Sequence, residues 1–153
     1  MHILKDLHLV EDPTYDDRWG LTNALREAQR SDHTTQVGAY IQGQSAHNQT
    51  IVGTHRAHAE TRVLYLCARA GVPVHGKTMY APWAACVHCA EAIVQAGVGR
   101  VVVLKSVMEV TPERWATQVT DGLNLLLDAR VRVDMVDDSM DVKILMDSKE
   151  VFT

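Results

Sequence analysis

Two kinds of apolar pattern alternate along this chain. Stretches in which apolar residues recur every three or four positions predict helices, and short runs rich in Val, Ile and Tyr predict strands. The helices are expected at Asp16–Arg30, His58–Ala70, Cys86–Ala96 and from Thr111 onward. The strands are expected at Gln36–Gln42, Thr50–Gly53, Thr78–Tyr80, Arg100–Leu104 and Val131–Val136, with Val142–Met146 as a short closing element.

Turn and capping residues support several of these boundaries. Gly71, with Pro73 two positions later, is a typical helix stop. Thr111 is expected as the N-cap of the fourth helix, with Pro112 at its first helical position. The run Gly43–Gln49 is expected to be a hairpin loop, which makes the first two strands antiparallel.

The order of these elements predicts the fold class. The run Val101–Leu104 is apolar at every position, as in a strand buried on both faces. A helix separates it from Val131–Val136, so these two strands are expected to be parallel. We therefore predict an α/β fold, a three-layer α/β/α sandwich with helices on both faces of a mixed five-stranded sheet. Cys67 and Trp115 lie on apolar helix faces and are expected in its core.

Length and composition narrow the classes of function. With 153 residues, 46% of them hydrophobic, residues 1–153 are expected to form a single domain with a sizeable core. The net charge of −4 gives no electrostatic reason to expect a nucleic-acid polymer as partner. No signal peptide or membrane-spanning run is evident, so no membrane is expected. The three cysteines suit a reducing cytoplasm, or the host cytoplasm if the chain is viral.

Candidate chemistry begins with a C-x-x-C pair. Cys86 and Cys89 share one face at the expected start of the third helix. Unpaired N–H groups and the helix dipole favour negative charge there, so thiols in that place lose their protons readily. Two thiolates so placed could bind a borderline cation such as Zn²⁺. Alone, the pair fits a redox site, half of a structural zinc site or half of a catalytic one.

An H-x-E motif supplies the other half of the pattern. His58 and Glu60 lie at the expected start of the second helix, and Cys86 follows His58 by 28 positions. That interval holds one helix, one strand and two turns, so the two helix N-termini are expected to point at the same place. In zinc deaminases, H-x-E followed by C-x-x-C supplies one imidazole and two thiolates to the metal, and the Glu carries protons.

These motifs belong to a longer resemblance. The run GKTMYAPWAACVHCAEAIVQAGVGRVVV, with HAE before it and TTQVGAYI earlier still, resembles the deoxycytidylate deaminase family, especially its phage-like members. The resemblance covers roughly Asp16 to Leu104. It implies a cytidine deaminase-like fold, a zinc cofactor, a homo-oligomer and a free cytosine nucleotide as small-molecule substrate. The leading reaction is hydrolysis of dCMP, or of a 5-substituted dCMP, to the uracil nucleotide and ammonia.

The resemblance also implies roles for single residues. His58, Cys86 and Cys89 would hold zinc and leave one coordination position for water, whose pKa falls to about 7 on the metal. Glu60 would take the water proton, pass it to ring atom N3 and later protonate the leaving amine. The backbone N–H of Ala59 would hold the 2-oxo group of the pyrimidine.

The turn before the cysteines would bind the other side of the base. A backbone carbonyl of Pro82, Trp83 or Ala84 would accept a hydrogen bond from the exocyclic amine. Trp83 itself either stacks near the base or packs under the turn. The family has Pro immediately before its first cysteine, and Ala85 stands there in this chain.

A second departure concerns the sugar. Relatives hold the sugar with an Asn on the loop before H-A-E, and the segment Thr54–Ala57 is too short for that loop. His55 and Arg56 are the polar side chains expected in its place, where they could contact a ribose or a 5′-phosphate.

Three other functions remain open from the sequence. One is a deaminase of another base or nucleoside, because fold and metal do not define the substrate. Another is a dithiol oxidoreductase that uses the C-x-x-C pair and leaves H-x-E without a role. The third is a zinc-stabilised module without catalysis, in which His55, His75 or His88 closes the fourth position.

Overall fold

A computed structural model of the chain describes residues 1–53 and 55–153. After a 3₁₀ turn at His2–Asp6, the helices are α1 (Tyr15–Ala28), α2 (Ala59–Ala70), α3 (Val87–Ala96), α4 (Lys105–Met108) and α5 (Glu113–Asp128). The strands are β1 (His8–Val10), β2 (Gly38–Ile41), β3 (Gln44–His47), β4 (Gln49–Val52), β5 (His55–Ala57), β6 (Thr78–Tyr80), β7 (Arg100–Leu104), β8 (Arg132–Val136), β9 (Lys143–Met146) and β10 (Lys149–Phe152).

The central sheet has six strands in the order β1-β8-β7-β6-β2-β3. Strands β1, β8, β7 and β6 are parallel, whereas β2 runs antiparallel to both β6 and β3. The predicted mixed sheet and the parallel pairing of β7 with β8 are confirmed. The predicted strand number of five is wrong, because β1 adds to the free edge of β8, with Leu9 opposite Met135.

The second predicted strand was also misplaced. Thr50–Gly53 does not pair with β2; the antiparallel partner is β3, which lies inside the predicted loop. The chain reverses at Gln42 and Gly43, whose φ angles of 50° and 81° are both positive, as in the tight turns that suit hairpins. Glu27 accepts hydrogen bonds from Ser45 Oγ and His47 Nδ1. These bonds satisfy the two polar side chains that made the segment look like a loop in the sequence.

Strands β4 and β5 form a separate two-stranded ribbon, and β9 with β10 forms a C-terminal hairpin. The ribbon lies where the sequence predicted a strand, Thr50–Gly53, followed by a short loop. Its four β4 residues are all exposed. Of the predicted loop Thr54–Ala57, Thr54 lies outside the described residues and the other three form β5.

Two apolar cores lie on opposite faces of the sheet and make the three layers. Alternate residues of β7 supply one face each, since Val101 and Val103 pack in one core while Val102 and Leu104 pack in the other. Helices α2, α3 and α5 cover the first face. Helices α1 and α4 and the C-terminal hairpin cover the second. None of the described helices is both long enough and apolar enough to cross a membrane.

Helix boundaries follow the capping residues with one exception. Gly71 ends α2 with a φ of 70°, as its position predicted, and Cys67 is buried in the core. Pro112, and not Thr111, is the N-cap of α5. Thr111 fails as a cap because its hydroxyl donates to the Met108 carbonyl and accepts from Trp83. Trp115 is half-buried and not a core residue. It lies in the first turn of α5, where its side chain lines a pocket.

Candidate active site

Two helix N-termini meet on one side of the sheet, as the motif spacing predicted. His58 occupies the N-cap position of α2, and Cys86 occupies the N-cap position of α3. Cys89 lies in the first turn of α3 and is fully buried. The His58 side chain makes no capping bond to α2, so its imidazole is available to a ligand.

The three side chains are spaced as zinc ligands. His58 Nδ1 lies 3.2 Å from Cys89 Sγ and 3.4 Å from Cys86 Sγ, and all three donor atoms lie within 4.8 Å of one another. Tetrahedral zinc with ordinary Zn–N and Zn–S bonds separates such donors by roughly 3.6 Å. Both cysteines are free. Two sulfurs and one imidazole fit zinc better than magnesium or calcium, which prefer oxygen ligands.

The surroundings of the two cysteines favour a thiolate at Cys86. The pKa of Cys86 is lowered to about 4, because Cys89 donates a hydrogen bond to its sulfur and His58 lies beside it. The pKa of Cys89 is raised by the same shared proton and by burial. Metal binding requires deprotonated sulfur, so Cys86 would offer the first thiolate at neutral pH and Cys89 would lose its proton on binding the metal.

Glu60 lies in the first turn of α2, two residues after His58. Its residue is 4% exposed, and burial raises the pKa of its carboxyl group. Thr61 stabilises this turn, since its hydroxyl donates to the His58 carbonyl over 3.1 Å. We call His58, Glu60, Cys86 and Cys89 the zinc cluster.

The zinc cluster opens into a pocket of about 320 Å³. Besides the cluster, several other parts of the chain line it. The lining residues are His33, Thr34, Thr35, Val37, Asn48, Arg56, Ala57, His58, Ala59, Glu60, Trp83, Ala84, Ala85, Cys86, Arg114, Trp115, Gln118 and Val119. This volume lies at the lower end of the range for small-molecule sites.

The pocket brings together most of the residues proposed for the substrate. Ala59, Trp83, Ala84 and Arg56 line it. Trp83 is half-buried, and its indole Nε1 donates to Thr111 Oγ1 over 2.9 Å.

The other two candidates lie elsewhere. Pro82 is buried behind the described lining, and its carbonyl accepts the Leu104 N–H over 3.0 Å. His55 is exposed on β5 outside that lining. His88 is also exposed and lies outside the metal group found among the described residues.

Several lining residues were not anticipated. Asn48 precedes β4, and its side chain accepts the Val37 N–H over 3.0 Å and donates to the Thr35 carbonyl over 2.8 Å. Arg114 and Trp115 come from the first turn of α5. We call residues 33–35, Asn48, Arg56, Arg114 and Trp115 the distal wall. Of these, Arg56 was predicted from the sequence, and Thr34 and Thr35 begin the run TTQVGAYI. For Arg114 and Trp115 the sequence signal was a helix start after a proline.

One close approach connects α5 to the zinc cluster. Gly122 packs directly on the backbone of Ala85 and Cys86, and a Cβ at Gly122 would overlap the Ala85 carbonyl oxygen. Only glycine permits this contact. Helix α5 therefore supports the segment that carries the first cysteine ligand.

Solved structures with this fold include two of the dCMP deaminase of cyanophage S-TIM5. The apo form has 22% identity and a TM-score of 0.65, and covers 81% of this chain and 99% of that one. The complex with dCMP and dUMP has 23% identity and a TM-score of 0.63, with the same coverage. A Thermotoga maritima diaminohydroxyphosphoribosylaminopyrimidine deaminase/5-amino-6-(5-phosphoribosylamino)uracil reductase has 18% identity and a TM-score of 0.60, covering 78% of this chain and 36% of that one.

A family comparison is more decisive than these structural likenesses. No curated protein sequence matches the chain significantly. Residues 14–105 match the family described as "Cytidine and deoxycytidylate deaminase zinc-binding region". That match covers more than half of the chain and contains every member of the zinc cluster. The zinc cofactor predicted from the motifs is therefore confirmed, and the chain belongs to the cytidine and deoxycytidylate deaminase family of hydrolytic enzymes.

Proposed function

We propose that this chain hydrolyses the 4-amino group of a free cytosine nucleotide, with dCMP as substrate and dUMP and ammonia as products. One observation carries the proposal: a buried carboxyl group, Glu60, lies beside a three-donor zinc set at a pocket of nucleotide scale. The neighbouring cyanophage enzyme, which binds dCMP and dUMP in its crystal, supports the choice of substrate.

Zinc bound by His58, Cys86 and Cys89 would lower the pKa of water and so supply a nucleophile near neutral pH. The proposed reaction is a hydrolysis. Water adds its oxygen to C4 of the pyrimidine, the C4–N bond breaks, and the amine leaves as ammonia. Two protons must travel, one to N3 and one to the leaving amine.

Glu60 is our candidate for both proton transfers. Burial raises the pKa of its carboxyl group above the ordinary value. A carboxyl group can accept a proton from water and then donate it to nitrogen, so one side chain can serve both transfers. No other acidic residue lines the described pocket.

Backbone groups would bind the base. Ala59 is the first residue of α2, where backbone N–H groups lack helical partners, so its N–H can donate to the 2-oxo group. The exocyclic amine needs an acceptor from the turn before the cysteines. Because the Pro82 carbonyl already accepts the Leu104 N–H, we assign that role to Trp83 or Ala84.

Asn48 is our candidate for the sugar. The loop that carries an Asn in relatives is absent between β5 and α2, but Asn48 lines the pocket from an earlier position. Its amide makes two backbone bonds and still has one N–H and one lone pair to offer. Arg56 remains our candidate for the 5′-phosphate, because a guanidinium can bind phosphate through two parallel hydrogen bonds.

A substrate screen tests the proposal. Ammonia release should be measured with cytosine, deoxycytidine, dCMP, dCTP, 5-substituted dCMP and a cytosine-containing oligonucleotide. The expected result is fastest release from dCMP or a 5-substituted dCMP. Fastest release from deoxycytidine or from an oligonucleotide would contradict the proposed substrate, and no release from any cytosine compound would contradict the proposed base.

A different base is the second candidate. The Thermotoga maritima neighbour is a deaminase of a phosphoribosylated aminopyrimidine, so the same screen should include adenine and guanine nucleotides and an aminopyrimidine. We also expect a homo-oligomer in the cytoplasm, where the three free cysteines would stay reduced. Light scattering of the purified protein measures the oligomeric state directly.

A further inference from the structure

Arg114 is a cation at the mouth of the pocket that the zinc-deaminase motifs do not explain. It lies in the first turn of α5, outside residues 14–105 that match the family. Its guanidinium carbon lies 4.3 Å from the centre of the Trp115 ring. Trp115 also lines the pocket and packs against Trp83 with their ring centres 5.4 Å apart. The guanidinium therefore rests on an aromatic surface that faces the site.

Asp147, in the turn between β9 and β10, holds this guanidinium by its end. Arg114 Nη1 donates to Asp147 Oδ2 over 2.8 Å, and Nη2 donates to Oδ1 over 2.7 Å. A guanidinium has five N–H donors, so the bond to Asp147 leaves three unused. They include Nε–H, and the side formed by Nε and Nη2 can still bind a second anion through two hydrogen bonds.

The hairpin that carries Asp147 is also bonded to another part of the distal wall. The Asp147 N–H donates to Thr35 Oγ1 over 3.0 Å, and the Ser148 N–H donates to the Thr34 carbonyl over 2.8 Å. Thr34 and Thr35 both line the pocket. The β9–β10 turn thus links Arg114 to Thr34 and Thr35, two other residues of the pocket lining.

We propose that Arg114 binds the 5′-phosphate of the nucleotide and that Asp147 limits the strength of this contact. The inference rests on the proposed function, because it needs a phosphorylated ligand in this pocket. The phosphate oxygens accept from the unused side of the guanidinium while the Trp115 ring lies against the face of the group. The Asp147 carboxylate remains on the other end and repels the phosphate, so the mouth favours a single phosphate group.

Binding of the product pair dUMP and deoxyuridine tests this without any turnover. Dissociation constants should be measured by calorimetry for the parent, Arg114→Ala, Arg114→Lys and Asp147→Asn. We expect Arg114→Ala to weaken dUMP binding by about tenfold, the cost of a charged hydrogen-bond pair near the surface, and deoxyuridine binding by much less. Arg114→Lys should recover only part of the loss, because Lys has no planar pair of donors. Arg69→Ala, on the exposed end of α2, is the matched control.

Asp147→Asn should act in the opposite direction. The amide still accepts one hydrogen bond from Arg114, but the repelling charge is gone. We expect dUMP to bind about threefold more tightly, as for one exposed charge interaction, with a smaller change for deoxyuridine. Weaker dUMP binding in this variant would overturn the role given to Asp147. Equal losses of dUMP and deoxyuridine in Arg114→Ala would overturn the phosphate site.

The same data separate this inference from the proposed function. A parent protein that binds dUMP through Arg114 but releases no ammonia from dCMP would contradict the function and leave the phosphate site standing. A parent that deaminates dCMP while Arg114→Ala binds dUMP as well as it does would support the function and overturn the inference.

Discussion

The zinc cluster and the distal wall form one pocket but are built in opposite ways. The cluster comes from the first turns of two helices, and each half is a motif four residues long or shorter. The wall comes from separate segments around residues 33–35, Asn48, Arg56 and the start of α5. The zinc cluster is thus local structure within the part of the chain that matches the family, whereas the distal wall depends on tertiary contacts. This difference predicts distinct failures for mutations on each side.

The largest effect should come from removing a zinc ligand. Cys89→Ser replaces a soft sulfur with a hard oxygen inside a fully buried position, so we expect zinc content near zero and complete loss of ammonia release. Metal analysis and an activity assay measure both. Cys67→Ala is the control, since Cys67 is a buried thiol outside the cluster. A Cys89→Ser protein that keeps one zinc per chain would contradict the ligand assignment.

Glu60→Gln should separate chemistry from metal binding. The amide cannot shuttle a proton, so kcat should fall by about 10²–10⁴-fold while zinc content and fold remain. Steady-state kinetics and metal analysis are the measurements. The exposed Glu91→Gln on α3 is the matched control. Activity within about tenfold of the parent would remove Glu60 as the proton carrier.

A change in the distal wall should affect recognition and leave the metal in place. Arg56→Ala should raise KM for dCMP by about tenfold and raise KM for deoxycytidine much less, because only the nucleotide offers a phosphate. Zinc content should match that of the parent. The exposed Arg26→Ala on α1 controls for loss of a surface charge. Equal effects on both substrates would take Arg56 out of the phosphate site.

The smallest effect on activity should come from an ion network away from the pocket. Arg100 donates two hydrogen bonds to Asp17, of 2.8 and 2.9 Å, and one of 2.7 Å to Asp134. The hydrogen bonds from Arg100 lower the pKa of Asp17 below its ordinary value of 3.8, and a hydrogen bond from Tyr80 lowers it further. For Asp134, burial works to raise the pKa, but Arg100 and Arg132 more than offset it.

The sign of the pH effect follows from these lowered pKa values. The network stabilises the fold above the ordinary Asp pKa, and that stability is lost as pH falls through the lower folded value. Denaturant unfolding between pH 2 and about pH 7 should show a decline at the acid end that is shallower in Asp17→Asn. The exposed Asp16→Asn, in the same helix turn, should behave like the parent. Equal acid profiles for parent and Asp17→Asn would contradict the role of this carboxylate.

The zinc cluster could be predicted because its physics is local. A His, a Glu and two Cys at helix starts define their own chemistry, and strand β7 was evident from the continuous apolar run Val101–Leu104. Strand β3 was not evident, since its Ser45 and His47 look like loop residues until Glu27 is known to bind both. Strand β1 has three residues and depends on the free edge of β8.

Apart from Arg56, most of the distal wall could not be predicted, for a related reason. Asn48 lies in what looked like a hairpin loop, and Trp115 looked like an ordinary member of an apolar helix stripe. Which side of α5 faces the pocket depends on the contact of Gly122 with Ala85, two residues far apart in the chain. Periodicity reports that a helix has an apolar face but not what that face will meet.

The contact between Gly122 and Ala85 also has a consequence for mutational surveys. Any side chain at Gly122 would push α5 away from the loop that leads to Cys86, so most substitutions there should abolish activity. A survey that scores activity alone would rank Gly122 with the metal ligands, although it meets neither substrate nor zinc. Measuring protein abundance and metal content together with activity would separate the residues proposed to perform the reaction from Gly122, whose role is to allow α5 to pack against their loop.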